Sequence, residues 1–282
     1  MRRIRYVSIA LLGILGLSYC SLNDSRPVDA ILPLVASSLT AEQQLGKELF
    51  FDTNLSQPSG QACGSCHNPT VAFTTPTAEM NNGITPGVFT SRTGPRNAPT
   101  ASYAAYSPTP FFDDEAGTWV GGQFLDHRAS SLEDQAKQPF LNAVEMANAD
   151  RSSVVADVAA ASYADDFRAL YGSGIFSDTD RAYEKIAQAL AAYERSSEVN
   201  PFSSKFDAYL AGRANLSAQE LRGLALFRNP SKGNCEACHP STGDSPVFTD
   251  FTNDNLGVPK NSSNPFYTVS ATFNPDGAAF ID

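Results

Sequence analysis

Apolar residues recur with the spacing of an amphipathic helix in two stretches of the chain. The first stretch runs from about Ser152 to Tyr171, and the second from about Thr179 to Ser196. In the second stretch the apolar residues fall on one helical face; they are Tyr183, Ile186, Ala187, Leu190 and Tyr193. The pattern predicts two helices whose apolar faces belong to a hydrophobic core.

A third pattern occurs twice. Residues 39–50 and 216–227 carry Leu, Ala, Gly, Leu and Phe in the same register. The second residue of each copy is a Thr or Ser that is followed three residues later by Gln or Glu, which is the signature of a capping box. Both copies are therefore predicted to be helices.

Other parts of the chain predict little regular structure. The tract from about Thr74 to Gly122 is rich in Pro and Gly, and no strand-like alternation of any length occurs. The Asn200–Pro201 pair marks a break and predicts a domain boundary. The predicted fold class is mainly α with long irregular loops.

The pattern Cys-x-x-Cys-His follows each repeated helix. The residues are Cys63, Cys66 and His67 in the first copy and Cys235, Cys238 and His239 in the second. This is the attachment signature of c-type haem: the thiols add to the haem vinyl groups, and the adjacent imidazole is the proximal iron ligand. A zinc knuckle, a redox pair and chance are the alternatives. Zinc needs four ligands gathered at one site, whereas each motif here makes better sense with its own haem. We predict two covalently bound haem c groups.

A Phe-Thr pair follows each motif, as Phe73-Thr74 and as Phe248-Thr249. The same unit of helix, loop, haem-binding turn and loop thus occurs twice, which predicts two cytochrome c-like domains in tandem. The glycine inside each repeated helix, Gly46 or Gly223, is costly unless a haem edge or a crossing helix packs against it; an accident of sequence is the alternative.

The first residues have the composition of an export signal. Three arginines, at positions 2, 3 and 5, precede an apolar stretch from about Tyr6 to Leu17, which is short for a transmembrane helix. Because c-type haem is attached outside the cytoplasm, residues 1–20 are predicted to be a leader, residues 21–38 a linker, and the protein periplasmic. Of five cysteines only Cys20 lies outside the haem motifs. It ends a lipobox-like stretch, so a membrane tether through acylated Cys20 stands beside plain cleavage or an uncleaved anchor.

The chain is acidic. It carries 20 basic and 30 acidic side chains, a formal net charge of −10, and three of the basic residues lie in the leader. This balance argues against nucleic acid as a partner. It would steer a basic electron donor towards the protein; a soluble acidic surface with no docking role is the alternative.

Further segments lie in order along almost the whole chain after the leader. They are Leu45–Asp52, Gly94–Thr100, Phe124–Ala129, Leu132–Ala136, Val144–Met146, Ala192–Arg195 and Phe206–Leu210. Together with the two haem motifs, they resemble the bacterial di-haem cytochrome c peroxidase and MauG family. The resemblance implies an N-terminal peroxidatic haem domain at residues 39–200, with His67 as proximal ligand. It implies a C-terminal electron-relay cytochrome c domain at residues 201–282, with His239 as proximal ligand.

The resemblance also implies site residues beyond the haem motifs. Gln135 and Glu145 match polar residues of the family's distal pocket, and Asn97 matches a residue that helps to hold calcium between the domains. Breaking the O–O bond of peroxide requires a proton to move from one oxygen to the other, and a buried carboxyl with a raised pKa can carry it. An amide can hold peroxide or water in line. Without the resemblance, Glu145 would be a surface acid or helix cap and Gln135 an ordinary polar residue of a helix.

The sequence departs from the family pattern at several positions. No histidine other than His67 lies between Cys66 and Arg96, where the distal ligand falls in many family peroxidases. The first haem is therefore expected to have an open sixth position. His127 replaces a Gly and is expected to lie in a loop near a propionate; ligation or shielding of a haem is the alternative. Leu125 replaces a Trp between the haems and cannot hold a radical.

Two further departures concern the lone tryptophan and the chain end. Trp119 lies six residues before Leu125 and is expected to be a core or surface anchor. Family members continue well past the position of Asp282, so the second domain is expected to be incomplete, in a fragment or a truncated product.

The function predicted from these features is an exported di-haem c-type peroxidase. It would reduce hydrogen peroxide to water with electrons from a small periplasmic donor such as a cytochrome c or a cupredoxin. The first alternative is a MauG-like haem oxidase that acts on a partner protein or small molecule, which the missing distal histidine favours. The second is a non-catalytic electron-transfer cytochrome or an inactive truncated remnant, which the early chain end favours.

Overall fold

The computed structural model of the protein describes residues 38–254 and 256–281. The predicted leader over residues 1–20, with Cys20, and all but the last residue of the predicted linker lie outside this part of the chain. No helix within it is long and apolar enough to cross a membrane.

Helices dominate the described residues. The α-helices are α1 (Ala41–Phe51), α2 (Cys63–Cys66), α3 (Leu132–Leu141), α4 (Arg151–Ala160), α5 (Ala164–Tyr171), α6 (Thr179–Glu194), α7 (Lys205–Leu210) and α8 (Ala218–Arg228). Short 3₁₀ helices interrupt the loops at Thr53–Leu55, Pro69–Val71, Thr77–Glu79, Ala104–Tyr106, Ile175–Ser177, Cys235–Ala237, Pro265–Thr268 and Gly277–Ala279. The prediction of a mainly α chain is confirmed. The tandem domains, the boundary at Asn200–Pro201 and the incomplete second domain stay predictions.

The repeated segments form α1 and α8, and both capping boxes are present. The Thr40 hydroxyl accepts a hydrogen bond from the Gln43 backbone N–H at 3.2 Å, and the Gln43 side chain accepts one from the Thr40 N–H at 3.0 Å. Ser217 and Glu220 exchange the same two bonds at the start of α8. These bonds satisfy N–H groups that have no partner inside the helix, so the start of each helix is encoded locally.

The prediction of a single helix over Ser152–Tyr171 is wrong, because the chain forms α4 and α5 with a break between them. Ala161 is extended and ends α4. The turn lets the hydroxyl of Tyr163 donate to Asp52 at 2.6 Å. Both helices still face the core, since Val158 and Phe167 are fully buried. The apolar pattern therefore continues across a break that a distant contact stabilises.

Helix α3 is not predicted by the apolar pattern, and Pro139 inside it would ordinarily argue against a helix. The structure retains the helix because the Ser131 hydroxyl accepts from the Asp134 N–H at its start. Leu132, Ala136 and Phe140, spaced four residues apart, are buried along one side. Packing thus compensates for the missing N–H of the proline.

A small hairpin corrects the expectation that the Pro- and Gly-rich tract holds little regular structure. Strands β1 (Phe111–Asp113) and β2 (Thr118–Val120) pair antiparallel, with Phe112 opposite Trp119. Strands of this length are too short to show the alternation from which strands are predicted. Trp119 is 51% exposed and its ring meets Phe112 edge-on, which fits a surface role rather than a core role.

Helix α6 is the centre of the core, and α1 packs across it. Its fully buried side chains include Tyr183, Ile186, Leu190 and Tyr193. Burial of an aliphatic side chain such as Ile186 or Leu190 stabilises the fold by roughly 1.5–3 kcal/mol. The crossing is close at Gly46, where a Cβ atom would lie 1.8 Å from the carbonyl oxygen of Ala189. Of the explanations offered for the first repeated glycine, a haem edge, a crossing helix or an accident of sequence, the structure shows the crossing helix. At Gly223, by contrast, no atom of the described residues lies within 4 Å of the Cβ position.

Candidate functional site

A cavity opens beside the first Cys-x-x-Cys-His turn. The space between its lining atoms, open mouth included, is about 1260 Å³. Helices α2, α3 and the end of α6 contribute to the wall, together with the loop 94–101 and the turn 145–146. The first-site residues singled out from the sequence all line it; they are Cys63, Cys66, His67, Asn97, Gln135 and Glu145.

The two cysteines of this turn are free thiols on the one-turn helix α2. The turn is closed by the His67 N–H, which donates to the Cys63 carbonyl at 2.8 Å. Burial raises the pKa of both thiols, that of Cys66 to about 12. A redox pair or a zinc site is instead favoured by a lowered thiol pKa. The raised pKa of both thiols therefore argues against those two alternatives.

His67 is oriented by the carbonyl group of Phe73. The His67 Nδ1 lies 3.2 Å from that oxygen, which holds the ring proton on Nδ1 and leaves Nε2 as the nitrogen that can bind iron. Burial lowers the pKa of His67, and the carbonyl groups of Phe73 and Pro99 act in the opposite direction. The result is a neutral imidazole, which is the form that binds metals.

Phe73 adopts a left-handed backbone with φ of 56°, which is uncommon for a bulky residue. The conformation aims its carbonyl group at His67. Its buried ring packs edge-on against Phe50, with ring centroids 6.1 Å apart, and such packing offsets the backbone strain.

The second haem-binding turn repeats this arrangement. The His239 N–H donates to the Cys235 carbonyl at 2.8 Å, and the His239 Nδ1 lies 2.8 Å from the Phe248 carbonyl oxygen. Phe248 has the same φ of 56° as Phe73. The Phe-Thr pair of the sequence repeat therefore marks the residue whose carbonyl group orients each histidine. In the described residues His239 is exposed.

The described residues do not form a zinc site from the cysteines and histidine of either motif. Within the described part of the chain, one group of three His, Cys, Asp or Glu side chains could hold a metal ion, and it consists of Cys238, Asp250 and Asp254. It contains one cysteine and no histidine, and the two Cys-x-x-Cys-His motifs are not gathered into one four-ligand site.

Glu145 is held in the turn after α3 by backbone hydrogen bonds. Its N–H donates to the Asn142 carbonyl at 3.0 Å, and its carbonyl accepts from the Val88 N–H at 2.8 Å. Burial raises the pKa of its carboxyl group, whereas the charge of Arg128 and a hydrogen bond from Asn142 act in the opposite direction. Glu145 therefore keeps a proton to a higher pH than an exposed glutamate does.

Arg128 also lines the cavity, although the sequence analysis did not single it out as a site residue. Its guanidinium lies 3.4 Å from the centroid of the Phe124 ring and pairs with Asp126 at 2.7 Å. The same carboxylate accepts from Arg96 at 2.9 Å. These pairs lower the pKa of Asp126 and fix the positive charge of Arg128 near Glu145.

Asn97 is connected to the haem-binding turn through two hydroxyl groups. Its Oδ1 accepts from the Thr85 hydroxyl at 3.0 Å, and the Thr85 and Thr75 hydroxyls lie 2.7 Å apart. Thr75 in turn donates to the Cys66 carbonyl at 2.8 Å. The amide oxygen of Asn97 thus already has one protein partner, and its role as a calcium ligand stays a prediction.

Two buried polar side chains of the cavity wall were missed by the sequence analysis. The Gln61 Oε1 is buried without a hydrogen-bond partner, and such an oxygen costs about 1–3 kcal/mol unless a bound group or water donates to it. Glu194, at the end of α6, is 7% exposed. The available signal for Glu194 was its position four residues after Leu190, where it continues the apolar face of the helix as a charged residue.

The positions that depart from the family pattern lie at or outside the cavity mouth. Leu125 lines the mouth and is 53% exposed. His127 is not among the lining residues; its ring nitrogens contact the Gly121 carbonyl and the Asn253 side chain. Its expected place near a propionate stays a prediction.

Taken residue by residue, the cavity fits a covalently attached haem. It offers the thiols of Cys63 and Cys66 and the imidazole of His67, whose Nδ1 is already hydrogen-bonded. It also offers the buried side-chain oxygen of Gln61, which lacks a hydrogen-bond donor. The second turn offers the same thiol and imidazole pattern at Cys235, Cys238 and His239.

Comparison with known proteins agrees with this chemistry. A family model described as di-haem cytochrome c peroxidase matches residues 40–215. The methylamine utilization protein MauG of Paracoccus denitrificans is 36% identical over 92% of this chain. The cytochrome c551 peroxidase of Nitrosomonas europaea is 30% identical over 86% of it.

The fold is similar to that of the diheme peroxidase BthA from Burkholderia thailandensis. The two structures superpose with a TM-score of 0.73 at 34% identity, over 86% of this chain. This chain spans 65% of the length of the Paracoccus and Nitrosomonas proteins and 64% of the BthA chain.

Proposed function

This chain belongs to the di-haem cytochrome c peroxidase and MauG family, and we propose that it is an exported enzyme that reduces hydrogen peroxide to water. The electrons would come from a small periplasmic donor such as a cytochrome c or a cupredoxin. The net charge of −10 supports a basic donor, because opposite charge accelerates encounter between proteins.

One observation carries the proposal. Glu145, a carboxyl group whose pKa is raised by burial, lines the same cavity as His67 and the two attachment cysteines. Haem attached at Cys63 and Cys66 would supply the iron at which electrons reach peroxide. His67, with its Nδ1 proton held by Phe73, would bind that iron through Nε2.

Proton movement is the task of the polar side chains. Reduction of one peroxide molecule to two water molecules consumes two electrons and two protons. Glu145 takes the proton from one peroxide oxygen and delivers it to the other, which becomes the leaving water. The side-chain amide of Gln135 holds peroxide or a water in line with this transfer.

A MauG-like oxidase is the second candidate function. It is favoured by the absence of any histidine other than His67 between Cys66 and Arg96, together with the contacts that His127 makes with Gly121 and Asn253. The cavity residues keep the same roles in this second candidate function. The electrons come from a partner protein or a small molecule, which becomes oxidised.

Steady-state turnover tests the proposal. The protein is matured in a host that attaches c-type haem, and peroxide-dependent oxidation of a reduced small cytochrome c is measured. The matched control is Cys63→Ala/Cys66→Ala, which should lose turnover while keeping the second attachment site. Haem-loaded wild type that oxidises no donor faster than this control would overturn the peroxidase reading, and oxidation of a partner protein instead would establish the MauG-like one.

A further inference from the structure

Glu194 is a buried carboxyl group of the cavity wall that the proposed peroxide chemistry does not use. It is the last residue of α6 and is 7% exposed. Its charge raises the pKa of the Cys63 thiol, which places it within electrostatic reach of a haem attachment point. The charge of Glu145 raises the pKa of the Cys66 thiol. The two carboxyl groups therefore lie near different attachment cysteines.

The carboxyl group of Glu194 lacks a direct partner among the described residues. Its backbone carbonyl accepts from the Asn200 side chain at 2.6 Å, but no described residue hydrogen-bonds its carboxyl oxygens. The neighbouring guanidinium of Arg195 is already occupied, because it binds both oxygens of Glu133 at 2.6 and 3.1 Å. A carboxylate on a side chain that is only 7% exposed is costly, and the negative end of the α6 dipole adds to the cost.

Charged groups on the neighbouring elements do not reverse this balance. Arg195 on α6 lowers the pKa of Glu194, and Glu133 on α3 raises it. Helix α1 contributes a cation, Lys47, which is paired with the exposed Glu198 at 2.7 Å, and α2 contributes the protonated thiol of Cys63. Burial is the largest influence and raises the pKa of Glu194 to about 8. Glu194 is therefore poised to gain or lose a proton when a nearby charge changes.

We infer that Glu194 is a redox-linked proton-binding site of the first haem, distinct from the peroxide-side acid Glu145. With haem attached at Cys63 and Cys66, Glu194 would bind one proton when the haem takes up one electron from a chemical reductant, and it would release that proton on reoxidation. The physical reason is that a carboxylate in the cavity wall stabilises the more positively charged ferric state. The inference rests on the proposed function only in requiring haem at Cys63 and Cys66.

Potentiometry over a range of pH tests the inference on the haem-loaded chain. We expect the midpoint potential of the first haem to fall as pH rises through the pKa of Glu194, with a slope approaching about 59 mV per tenfold change in proton concentration. In Glu194→Gln this slope should vanish in that window, and the potential should stay at the value of the protonated site. The matched control is Glu198→Gln, an exposed acid four residues later, which should behave like wild type.

A Glu194→Gln variant with the wild-type slope would overturn the inference. A second measurement covers the case in which this variant does not fold. Infrared difference spectra of wild type should gain the C=O band of a protonated carboxyl on reduction, and the band should persist in Glu145→Gln. Its absence from wild type would also overturn the inference.

Glu133→Gln provides an independent variant. It removes a negative charge that raises the pKa of Glu194 and releases Arg195 from its partner. Both effects should shift the range in which the midpoint potential depends on pH to lower pH. An unchanged range would contradict an electrostatic origin of the pKa of Glu194. Turnover of peroxide is a separate readout. If the haem-loaded protein does not turn over peroxide but its midpoint potential depends on Glu194, the proposed function is rejected and this inference stands.

Discussion

Gly46 on α1 lies against the backbone of Ala189 on α6, so closely that a Cβ atom at Gly46 would be 1.8 Å from the Ala189 carbonyl oxygen. This contact brings the end of α1, and with it the first haem-binding turn, up to α6. Because the neighbouring atom is backbone, it cannot rotate away as a side chain would.

We therefore expect Gly46→Ala to destabilise the fold by at least about 1–3 kcal/mol, the usual cost of overpacking a core. Thermal unfolding followed by circular dichroism measures the change. Gly223→Ala is the matched control at the equivalent position of α8, where no described atom lies within 4 Å. It should be neutral or stabilising by about 0.5–1 kcal/mol, since alanine favours helix over glycine. Equal losses at both glycines would contradict the packing argument.

Two covalent haems per chain are expected, because each Cys-x-x-Cys-His turn presents two free cysteines and a histidine oriented by a phenylalanine carbonyl. Intact mass after maturation with c-haem machinery measures the number. Cys63→Ala/Cys66→Ala and Cys235→Ala/Cys238→Ala should each lose one haem. A wild-type mass without haem, or with bound zinc, would reject the prediction.

The first haem is expected to be high-spin in the ferric state as isolated. The reason is that no histidine other than His67 lies between Cys66 and Arg96, and that His127 contacts Gly121 and Asn253. Electron paramagnetic resonance of His239→Ala, which isolates the first site, should show the high-spin signal. His127→Ala should leave that signal unchanged; a low-spin signal that disappears in this variant would show that His127 is a ligand.

Glu145→Gln is expected to slow the reaction with peroxide by about 10²–10⁴-fold, the usual contribution of a placed proton-transfer group. The amide keeps the size of the side chain and removes the titrating proton. Stopped-flow absorbance of the first haem measures the rate, and the resting spectrum should change little. Glu79→Gln is the matched control, because Glu79 also acts on Cys66 by its charge but is exposed and outside the cavity lining. An unchanged rate in Glu145→Gln would leave that residue without a role in proton transfer.

Glu194 is expected to make the folded protein less stable as the pH rises. Its pKa in the folded chain is about 8, against 4.5 for an ordinary glutamate. The folded state therefore binds more protons than the unfolded state between these values, and the free energy of unfolding falls as pH rises through this window. Glu194→Gln removes this loss. The free energy of unfolding of the variant should therefore rise relative to that of wild type by several kcal/mol as the pH increases from about 5 to about 9.

Denaturant unfolding of the oxidised protein at a series of pH values measures this difference. Glu198→Gln, whose carboxylate is exposed and paired with Lys47, should track wild type across the range. A constant difference between wild type and Glu194→Gln would show that the carboxyl group has the same pKa in the folded and unfolded states.

Features that depend on neighbours in the chain were predictable from the sequence. The capping boxes of α1 and α8 join residues three positions apart. The haem-binding turns need cysteines and a histidine at a spacing that covalent geometry imposes. The Phe-Thr pairs recur because the phenylalanine carbonyl must reach a histidine only a few residues earlier. The family resemblance follows from the same local segments.

Features that depend on residues far apart in the chain were decided by the tertiary structure. The break between α4 and α5 is stabilised by the bond from Tyr163 to Asp52, and α3 persists despite Pro139 because its apolar side packs on the core. The environment of Glu194 also depends on residues far apart in the chain. Its neighbour Arg195 is bound by Glu133 of another helix, and burial raises the pKa of Glu194. A pKa reflects everything that surrounds a group in space, so the residues could be named from sequence while their protonation awaited the fold.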